Sequence, residues 1–256
     1  MKWVIFGLFI VFEFVGHPAM ATGFAAAIHW ARRVELSTPV SGVIKTVTVV
    51  PGALVKKGQV MLTLEPTPFK AALQRARAEE VRAAVARDEA KRDDDQAKQL
   101  YANTVLSTVE LQNADNKYKR AQAGWSIADA DVAQAEYRLT YSVIRAPFEG
   151  WVLQRNAEPG QTVSSRLAPP PLLIFVAAGR YVARVRVPGP QLDRVSVGQQ
   201  VKVKIGGVGY SGTVESIGLE PVPAAADKES AYAVDVVFNV SKPLLRAGQR
   251  AEVDLP

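Results

Sequence analysis

The chain has 256 residues, 48% of them apolar, a net charge of +6 at pH 7 and no cysteine. This length predicts more than one domain, and the apolar content excludes a multi-span membrane protein. With only His17 and His29, no disulfide, thiolate nucleophile or zinc or copper site built on cysteine and histidine is expected. The modest positive charge fits a solvated, slightly basic surface as well as contact with an anionic one.

The N-terminus, MKWVIFGLFIVFEFVGHPAMATG, predicts a signal peptide over residues 1–21. Lys2 precedes an apolar run from Trp3 to Val15, and Ala19-Met20-Ala21 places small residues at the two recognition positions of a cleavage site. The alternative is an uncleaved anchor that extends through FAAAIHW at residues 24–30. Either interpretation places the body of the chain outside the cytoplasm.

Residues 34–66 have the composition of short β-strands. Valine and leucine recur there, and Pro51-Gly52 and Gly58 mark turns between the strands. We expect this segment to form half of a small β-domain, because alone it is too short to bury a core.

Residues 67–141 predict a long antiparallel helical hairpin, because proline and glycine nearly vanish and alanine and charged residues dominate. A break near residues 103–107 separates two helices of about 50 Å each. Ser107 can cap the second helix, with Glu110 three residues later as in a capping box. The alternative is two short helices packed into a globular domain.

Both helices show a coiled-coil spacing of three and four residues. In the second helix the predicted seam is Leu111, Ala114, Tyr118, Ala121, Trp125, Ala128, Val132, Ala135 and Leu139. The first helix matches less well, with two charged positions: Phe69, Ala72, Ala76, Glu79, Ala83, Ala86, Ala90, Asp93, Ala97 and Leu100. Many seam residues are alanines, which bury little area.

Residues 142–178 return to the β-like pattern and repeat the first segment. PFEGWVLQRNAEPG at 147–160 matches PVSGVIKTVTVVPG at 39–52 in the positions of its prolines and glycines, with no gap. Two such half-units packed face to face make one small β-sandwich from which the helical hairpin projects. A proline-rich stretch at 164–173, SSRLAPPPLL, predicts a rigid extended loop.

Residues 179–256 predict a second, barrel-like β-domain. Its strands are expected at VARVRV, QVKVKI, GTVESI, AVDVVF and AEVDL. The glycine-rich stretch at 206–209 lacks the lysine and hydroxyl residue of a phosphate loop, and its position between strands favours a hairpin turn.

The motifs PVSGVI and PFEGWV resemble the two halves of the biotinyl/lipoyl-carrier fold. In true carriers a tight turn with the modified lysine joins the halves. Here about 75 residues occupy that place, and Lys45, Lys56 and Lys57 lie inside the first half. A swinging-arm carrier is therefore not favoured, and no cofactor is expected.

With the barrel-like domain and the export signal added, the whole of residues 34–256 resembles the periplasmic adaptor, or membrane fusion protein, family (HlyD-like). The best local matches are VSGVIKTVTVVPGALVKKGQVMLTLEP, YSVIRAPFEGWVLQRNAEPGQTVS, YVARVRVPGPQLDRVSVGQQVKVKI and LLRAGQRAEVDL. The resemblance implies a mixed α and β fold: a split lipoyl-like β-sandwich, an inserted antiparallel coiled-coil hairpin and a C-terminal β-barrel-like domain. Some members add a membrane-proximal domain made from both chain ends; with few residues before Val34 and an end at Pro256, this chain is expected to lack it.

The resemblance implies a function without catalysis. Such adaptors form homo-oligomeric rings in the periplasm, at the inner membrane, and bridge a transporter of the resistance-nodulation-division or major facilitator type to a TolC-like outer-membrane channel. The hairpin tip, which meets the channel, often carries Arg, then Leu four residues later, then Ser seven residues after that. Here Gln96 replaces the Arg, while Leu100 and Ser107 match. The implied partner-binding residues are Gln96, Leu100, Asn103 and Ser107.

Other function classes have less support. Asp93-Asp94-Asp95 resembles a carboxylate cluster, but consecutive helical residues point in different directions and cannot share one metal, so a solvated charged face is expected. A Ser-His-Asp set and a phosphate loop are both missing from the sequence, which disfavours an enzyme. Basic residues interleaved with acidic ones disfavour nucleic-acid binding. The remaining alternative is an exported structural coiled-coil scaffold without a transport partner.

Overall fold

A computed structural model describes residues 22–165, 171–222, 230–241 and 244–255. The predicted signal peptide at 1–21 and the centre of the predicted proline-rich loop, 166–170, lie outside these residues. The described residues form two units, one within 32–178 and one from residues 22–31 together with those within 179–255.

The second unit is a closed six-stranded barrel with strand order β1-β10-β13-β12-β11-β14. Its strands are β1 (Thr22–Trp30), β10 (Arg180–Pro188), β11 (Gln200–Ile205), β12 (Val208–Val222), β13 (Ala231–Asn239) and β14 (Arg250–Leu255), with a 3₁₀ helix at Gly189–Arg194. All five predicted C-terminal strands are present. A two-residue turn, Gly206-Gly207, joins β11 to β12 with positive φ at both residues, as predicted for this stretch.

The first barrel strand, β1, lies between the predicted signal peptide and the predicted first β-half, in a segment that was not predicted to belong to any domain. β1 pairs with β10 on one side and with β14 on the other, so it closes the barrel. Ile28 on this strand is fully buried in the barrel core. The alternative that residues 24–30 extend an anchor is therefore wrong, since these residues form a barrel strand.

The first unit contains a β-sandwich of two four-stranded sheets, ordered β2-β9-β7-β4 and β6-β5-β3-β8. The strands are β2 (Arg33–Leu36), β3 (Gly42–Val47), β4 (Leu54–Val55), β5 (Val60–Leu64), β6 (Val143–Arg145), β7 (Gly150–Arg155), β8 (Thr162–Val163) and β9 (Leu173–Ala177). The core between the sheets includes Ile44, Leu62, Val152 and Phe175.

The sequence repeat corresponds to an approximate two-fold symmetry in the sandwich. The N–H of Gly52 donates to the carbonyl of Val152, and the N–H of Gly160 donates to the carbonyl of Ile44, both at 2.8 Å. The two acceptors lie two residues after the first glycine of their respective repeats. Gly52 and Gly160 have φ of 83° and 87°, a conformation that favours glycine and lets each turn reach the other half.

The halves do not each form one sheet, so the expectation that they pack face to face as separate units is wrong. Each sheet takes two strands from the first half and two from the second. After its Pro-Gly turn the chain crosses over, so that β4 pairs with β7 and β8 pairs with β3. Four of the six strand pairs join one half to the other, so neither half alone can complete either sheet.

The inserted hairpin consists of α1 (Thr67–Ala102) and α2 (Thr108–Thr140). At 1.5 Å per residue the helices are about 54 Å and about 50 Å long. Ser107 caps α2 and forms the predicted capping box with Glu110. The two-helix hairpin is thus confirmed over two short packed helices. None of the helices among the described residues is long and apolar enough to cross a membrane.

The predicted seam holds in α2 but only in part in α1. All nine predicted seam residues of α2 are buried or half-buried. In α1 four of the ten predicted seam residues are exposed, and in each case the residue that follows is buried or half-buried. Thus Leu73, Glu80, Arg87 and Asp94 face the partner helix in place of Ala72, Glu79, Ala86 and Asp93.

Two of the shifted side chains contact Trp125 on α2. Trp125 donates its indole N–H to Glu80 at 2.8 Å, and the guanidinium of Arg87 lies 4.5 Å from the ring centroid of the same tryptophan. Both registers of α1 place charges in the seam, so periodicity alone does not distinguish them.

Candidate functional site

The hairpin tip is the turn between Asn103, which ends α1, and Ser107, which caps α2. The N–H of Thr104 donates to the carbonyl of Tyr101 at 2.9 Å, and the N–H of Val105 donates to that of Leu100 at 3.0 Å. These two bonds are the pair that defines a Schellman motif at a helix C-terminus. The turn is therefore an ordered structure whose backbone groups are satisfied internally.

Thr104 occupies the position that such a motif usually gives to glycine. Its φ is 62°, the only positive value among the described residues other than glycine. A β-branched residue in this region is strained by roughly 1–2 kcal/mol. Strained backbone of this kind concentrates at functional sites, which makes the tip a candidate site on geometric grounds.

The structure places the four predicted tip residues in or just before the turn. Asn103 and Ser107 lie at the two ends of the turn and are exposed. Leu100 is half-buried behind the turn, and its carbonyl accepts the bond from Val105. Gln96 is exposed on α1, seven residues and therefore about 10 Å before Asn103.

Three exposed apolar side chains at the tip were missed from the sequence. Tyr101 is 44% exposed, Val105 70% and Val109 65%. We call these three residues the apolar tip. Their positions outside the heptad seam could have predicted their exposure, because an apolar residue beside a capped turn has no core in which to be buried.

Charge is absent from the tip and concentrated below it. The eleven residues from Gln99 to Val109 contain no charged side chain. Below them, Lys117 on α2 pairs with Asp93 on α1 at 2.7 Å. At the start of α2, hydrogen bonds from the hydroxyl and N–H of Ser107 lower the pKa of Glu110. The tip therefore presents an uncharged, partly apolar surface.

The three consecutive aspartates diverge, as predicted, and each meets a different lysine. Asp93 pairs with Lys117, Asp94 with Lys98, and Asp95 with Lys91. The expected solvated face is wrong for Asp94, which is 1% exposed and has one carboxylate oxygen without a hydrogen-bond partner. Within the described ranges no group of three metal-ligating side chains forms.

Residues 32–168, more than half of the chain, match the family described as CzcB-like, barrel-sandwich hybrid domain. The chain belongs to this family of membrane fusion proteins. The match covers the whole helical hairpin and the sandwich strands from β2 to β8, while β9 lies beyond it.

Relatives of this membrane fusion protein include efflux components. It is 28% identical over 229 residues to the uncharacterised protein YdhJ of Escherichia coli K12, covering 87% of this chain and 77% of the relative. It is also 28% identical over 142 residues to the efflux pump periplasmic linker BepD of Brucella suis, covering 56% of this chain but only 36% of BepD.

Solved structures share the fold of this membrane fusion protein. The membrane fusion protein Spr0693 of Streptococcus pneumoniae R6 aligns with a TM-score of 0.70 and 17% identity, over 92% of this chain and 98% of that one. A MacA–MexA chimera that contains the Pseudomonas aeruginosa MexA α-hairpin aligns with a TM-score of 0.68 and 24% identity, over 91% and 78%. These likenesses confirm the mixed α and β fold class.

Proposed function

We propose that this chain is a periplasmic adaptor subunit of a tripartite efflux or secretion pump. It would associate with the inner membrane and bridge a transporter there, of the resistance-nodulation-division or major facilitator type, to a TolC-like channel in the outer membrane. Its role is assembly without catalysis or a cofactor, and several copies form a ring in which hairpins lie side by side.

The hairpin carries this proposal. It projects about 50 Å and ends in an uncharged turn with an exposed apolar tip. An exposed apolar surface at the end of a long rod is typical of a contact with another protein. The turn lies among the four implied partner-binding residues, Gln96, Leu100, Asn103 and Ser107. One relative of the chain, BepD, is an efflux pump periplasmic linker.

The absence of charge at the tip bears on how such a contact would form. An Arg at position 96 could bind a carboxylate in bidentate fashion, whereas Gln96 cannot. We therefore propose that docking here depends on the apolar tip and on backbone shape more than on an ion pair. Raising the salt concentration should then weaken channel docking little.

The test is site-specific crosslinking in intact cells. The chain has no cysteine, so Asn103→Cys introduces a single attachment point for a photo-crosslinker at the tip. Lys70→Cys, exposed near the start of α1, is the matched control far from the tip. We expect an outer-membrane channel among the products of Asn103→Cys, identified by mass spectrometry, and none from Lys70→Cys.

The opposite result is equally informative. If Asn103→Cys yields only self-adducts or inner-membrane proteins, docking to a channel is wrong. A two-component inner-membrane system or a structural scaffold then becomes the better hypothesis.

A further inference from the structure

A cavity of about 700 Å³ lies on the outer surface of the barrel, across strands β10, β1 and β14. Its floor is the central strand β1 and its walls are side chains from the two neighbouring strands. The charged side chains that line it are three arginines and one carboxylate: Arg184, Arg186, Arg250 and Glu252. We call this cavity the basic groove.

The groove exists because the outward positions of β1 are small. Ala26 and Ile28 point into the barrel core and are buried, so the alternate residues Gly23, Ala25 and Ala27 face outward and form the floor. The next outward residue, His29, is larger and also lines the cavity. Long side chains stand on both sides, since Ala27 pairs with Arg184 on β10 and with Arg250 on β14. A strand with small outward residues between two strands with long ones leaves a trough one strand wide.

Two of the three arginines have no partner. Arg184 donates two hydrogen bonds to Asp235 on β13, at 2.7 and 2.8 Å, which offsets its charge. Arg186 and Arg250 are exposed, and within the part of the chain that the structure describes neither makes an ion pair or a side-chain hydrogen bond. They stand on opposite walls, so two uncompensated guanidinium groups flank the floor.

One end of the groove is closed to an anion. The carboxylate of Glu252 lies over Gly23, so close that a Cβ placed on this glycine would be 1.8 Å from the carboxylate oxygen Oε1. An anionic ligand would be repelled there. Because Glu252 is also the β14 neighbour of Ala25, the favourable region is the part of the floor nearest Ala27, toward Arg250.

We propose that the basic groove binds an extended acidic segment of a partner protein, with carboxylates that reach Arg186 and Arg250. Guanidinium groups bind carboxylates in a planar, bidentate fashion, and the alanine floor lets a polypeptide backbone approach closely. A small anion at one wall would leave the second arginine unpaired. A flat lipid surface would meet protruding cations first and would leave the recessed floor empty.

This inference does not rest on the proposed function, since binding of an acidic peptide is measured on the full chain without a pump. The probe is an N-acetylated, C-amidated hexapeptide of alternating glycine and glutamate, and its glutamine analogue is the uncharged control. Isothermal titration calorimetry at low salt gives the affinity. We expect the glutamate peptide to bind and the glutamine peptide not to bind.

Single substitutions test whether the glutamate peptide binds in the basic groove. Arg186→Gln and Arg250→Gln should each weaken the glutamate peptide about fivefold, the upper range for an exposed ion pair, and the double variant about twentyfold. Arg194→Gln, which removes an exposed arginine of the same unit that does not line the groove, should leave the affinity unchanged. Ala25→Glu should block binding, because it places a carboxylate inside the groove.

Three outcomes would overturn the proposal. If Arg194→Gln and Arg186→Gln reduced the affinity for the glutamate peptide equally, the binding would be non-specific attraction to a basic surface. Inorganic phosphate that competes at the peptide's own concentration would indicate a small-anion site. Binding to vesicles of phosphatidylglycerol that requires Arg186 and Arg250, with no peptide binding, would indicate a lipid contact instead.

Discussion

The barrel and the helical hairpin are stabilised in different ways. The barrel core is filled by large apolar side chains such as Tyr181, Val203 and Phe238, all 1% exposed or less. In the hairpin the buried positions are four alanines and one aspartate: Ala90, Asp94, Ala97, Ala128 and Ala135. Since burial contributes roughly 25 cal/mol per Å² of apolar surface, the barrel gains far more from its core than the hairpin does from its seam.

The hairpin shows how two long helices can stay paired without a large apolar core. Polar and charged contacts stabilise it: the capping box at Ser107, the charge pairs along and across the helices, and the contacts of Trp125 with Glu80 and Arg87. Each contributes little, but small seam residues let the helices pack closely along their whole length. Much of the hairpin surface thus stays exposed and available for neighbouring molecules.

The largest effect is expected from removing a barrel core residue. Phe238 packs against Tyr181 and Tyr210, with both ring centroids at 5.9 Å. Phe238→Ala should lower the free energy of unfolding of the barrel by about 3–5 kcal/mol, because it leaves a cavity. Hydrogen exchange of barrel peptides measures this loss.

Val208→Ala is the matched control on the same sheet. Val208 is 54% exposed, so its truncation should change the stability of the barrel by less than about 0.5 kcal/mol. Equal effects from the two variants would contradict the view that apolar burial stabilises the barrel.

In the hairpin, the same logic predicts a gain from removing a buried charge. Asp94 is 1% exposed and has an unpaired carboxylate oxygen, while its partner Lys98 is more than half exposed. Asp94→Leu should stabilise the hairpin by about 1–2 kcal/mol, because burying the carboxylate costs desolvation energy and Lys98, left without its partner, remains in contact with water. Urea unfolding followed by circular dichroism at 222 nm measures the change.

Asp95→Leu, one residue along, is the control. Asp95 is exposed and pairs with Lys91 at 3.1 Å, so its replacement removes a surface pair and buries nothing. A loss of stability in Asp94→Leu as large as that of a core truncation would mean that the buried carboxylate specifies the hairpin structure.

The smallest effect concerns the cap at the tip. Ser107→Ala removes the hydroxyl that accepts from the N–H of Glu110 and should cost about 1 kcal/mol, measured in the same urea experiment. Thr108→Ala, at the next exposed position, should change stability by less than half of that.

The cap also predicts a pH dependence. Hydrogen bonds from Ser107 lower the folded pKa of Glu110 below its ordinary value of 4.5. This contribution to stability is present above that value and is lost as the pH falls through the folded pKa. The stability difference between Ser107→Ala and the natural chain should therefore shrink in acid; a constant difference down to pH 2 would contradict the role of Glu110.

Local sequence signals predicted the elements that depend on neighbouring residues. The capping box at Ser107, the turn at Gly206-Gly207 and the seam of α2 follow from spacings within a few residues. At the candidate site, Asn103 and Ser107 could be placed at the turn for the same reason. The exposed Tyr101, Val105 and Val109 were missed because heptad spacing identifies buried residues only.

The order of the parts could be read from sequence patterns: a β-half, a long helical hairpin, a second β-half and a run of barrel strands. Their signals are periodicity and Pro/Gly punctuation, which are local properties. Tertiary structure alone decided that residues 22–30 close the barrel, that the sandwich halves exchange strands and that Asp94 is buried. The physical reason is that strand partners and buried charges are chosen by contacts between residues far apart in the chain, which no local pattern encodes.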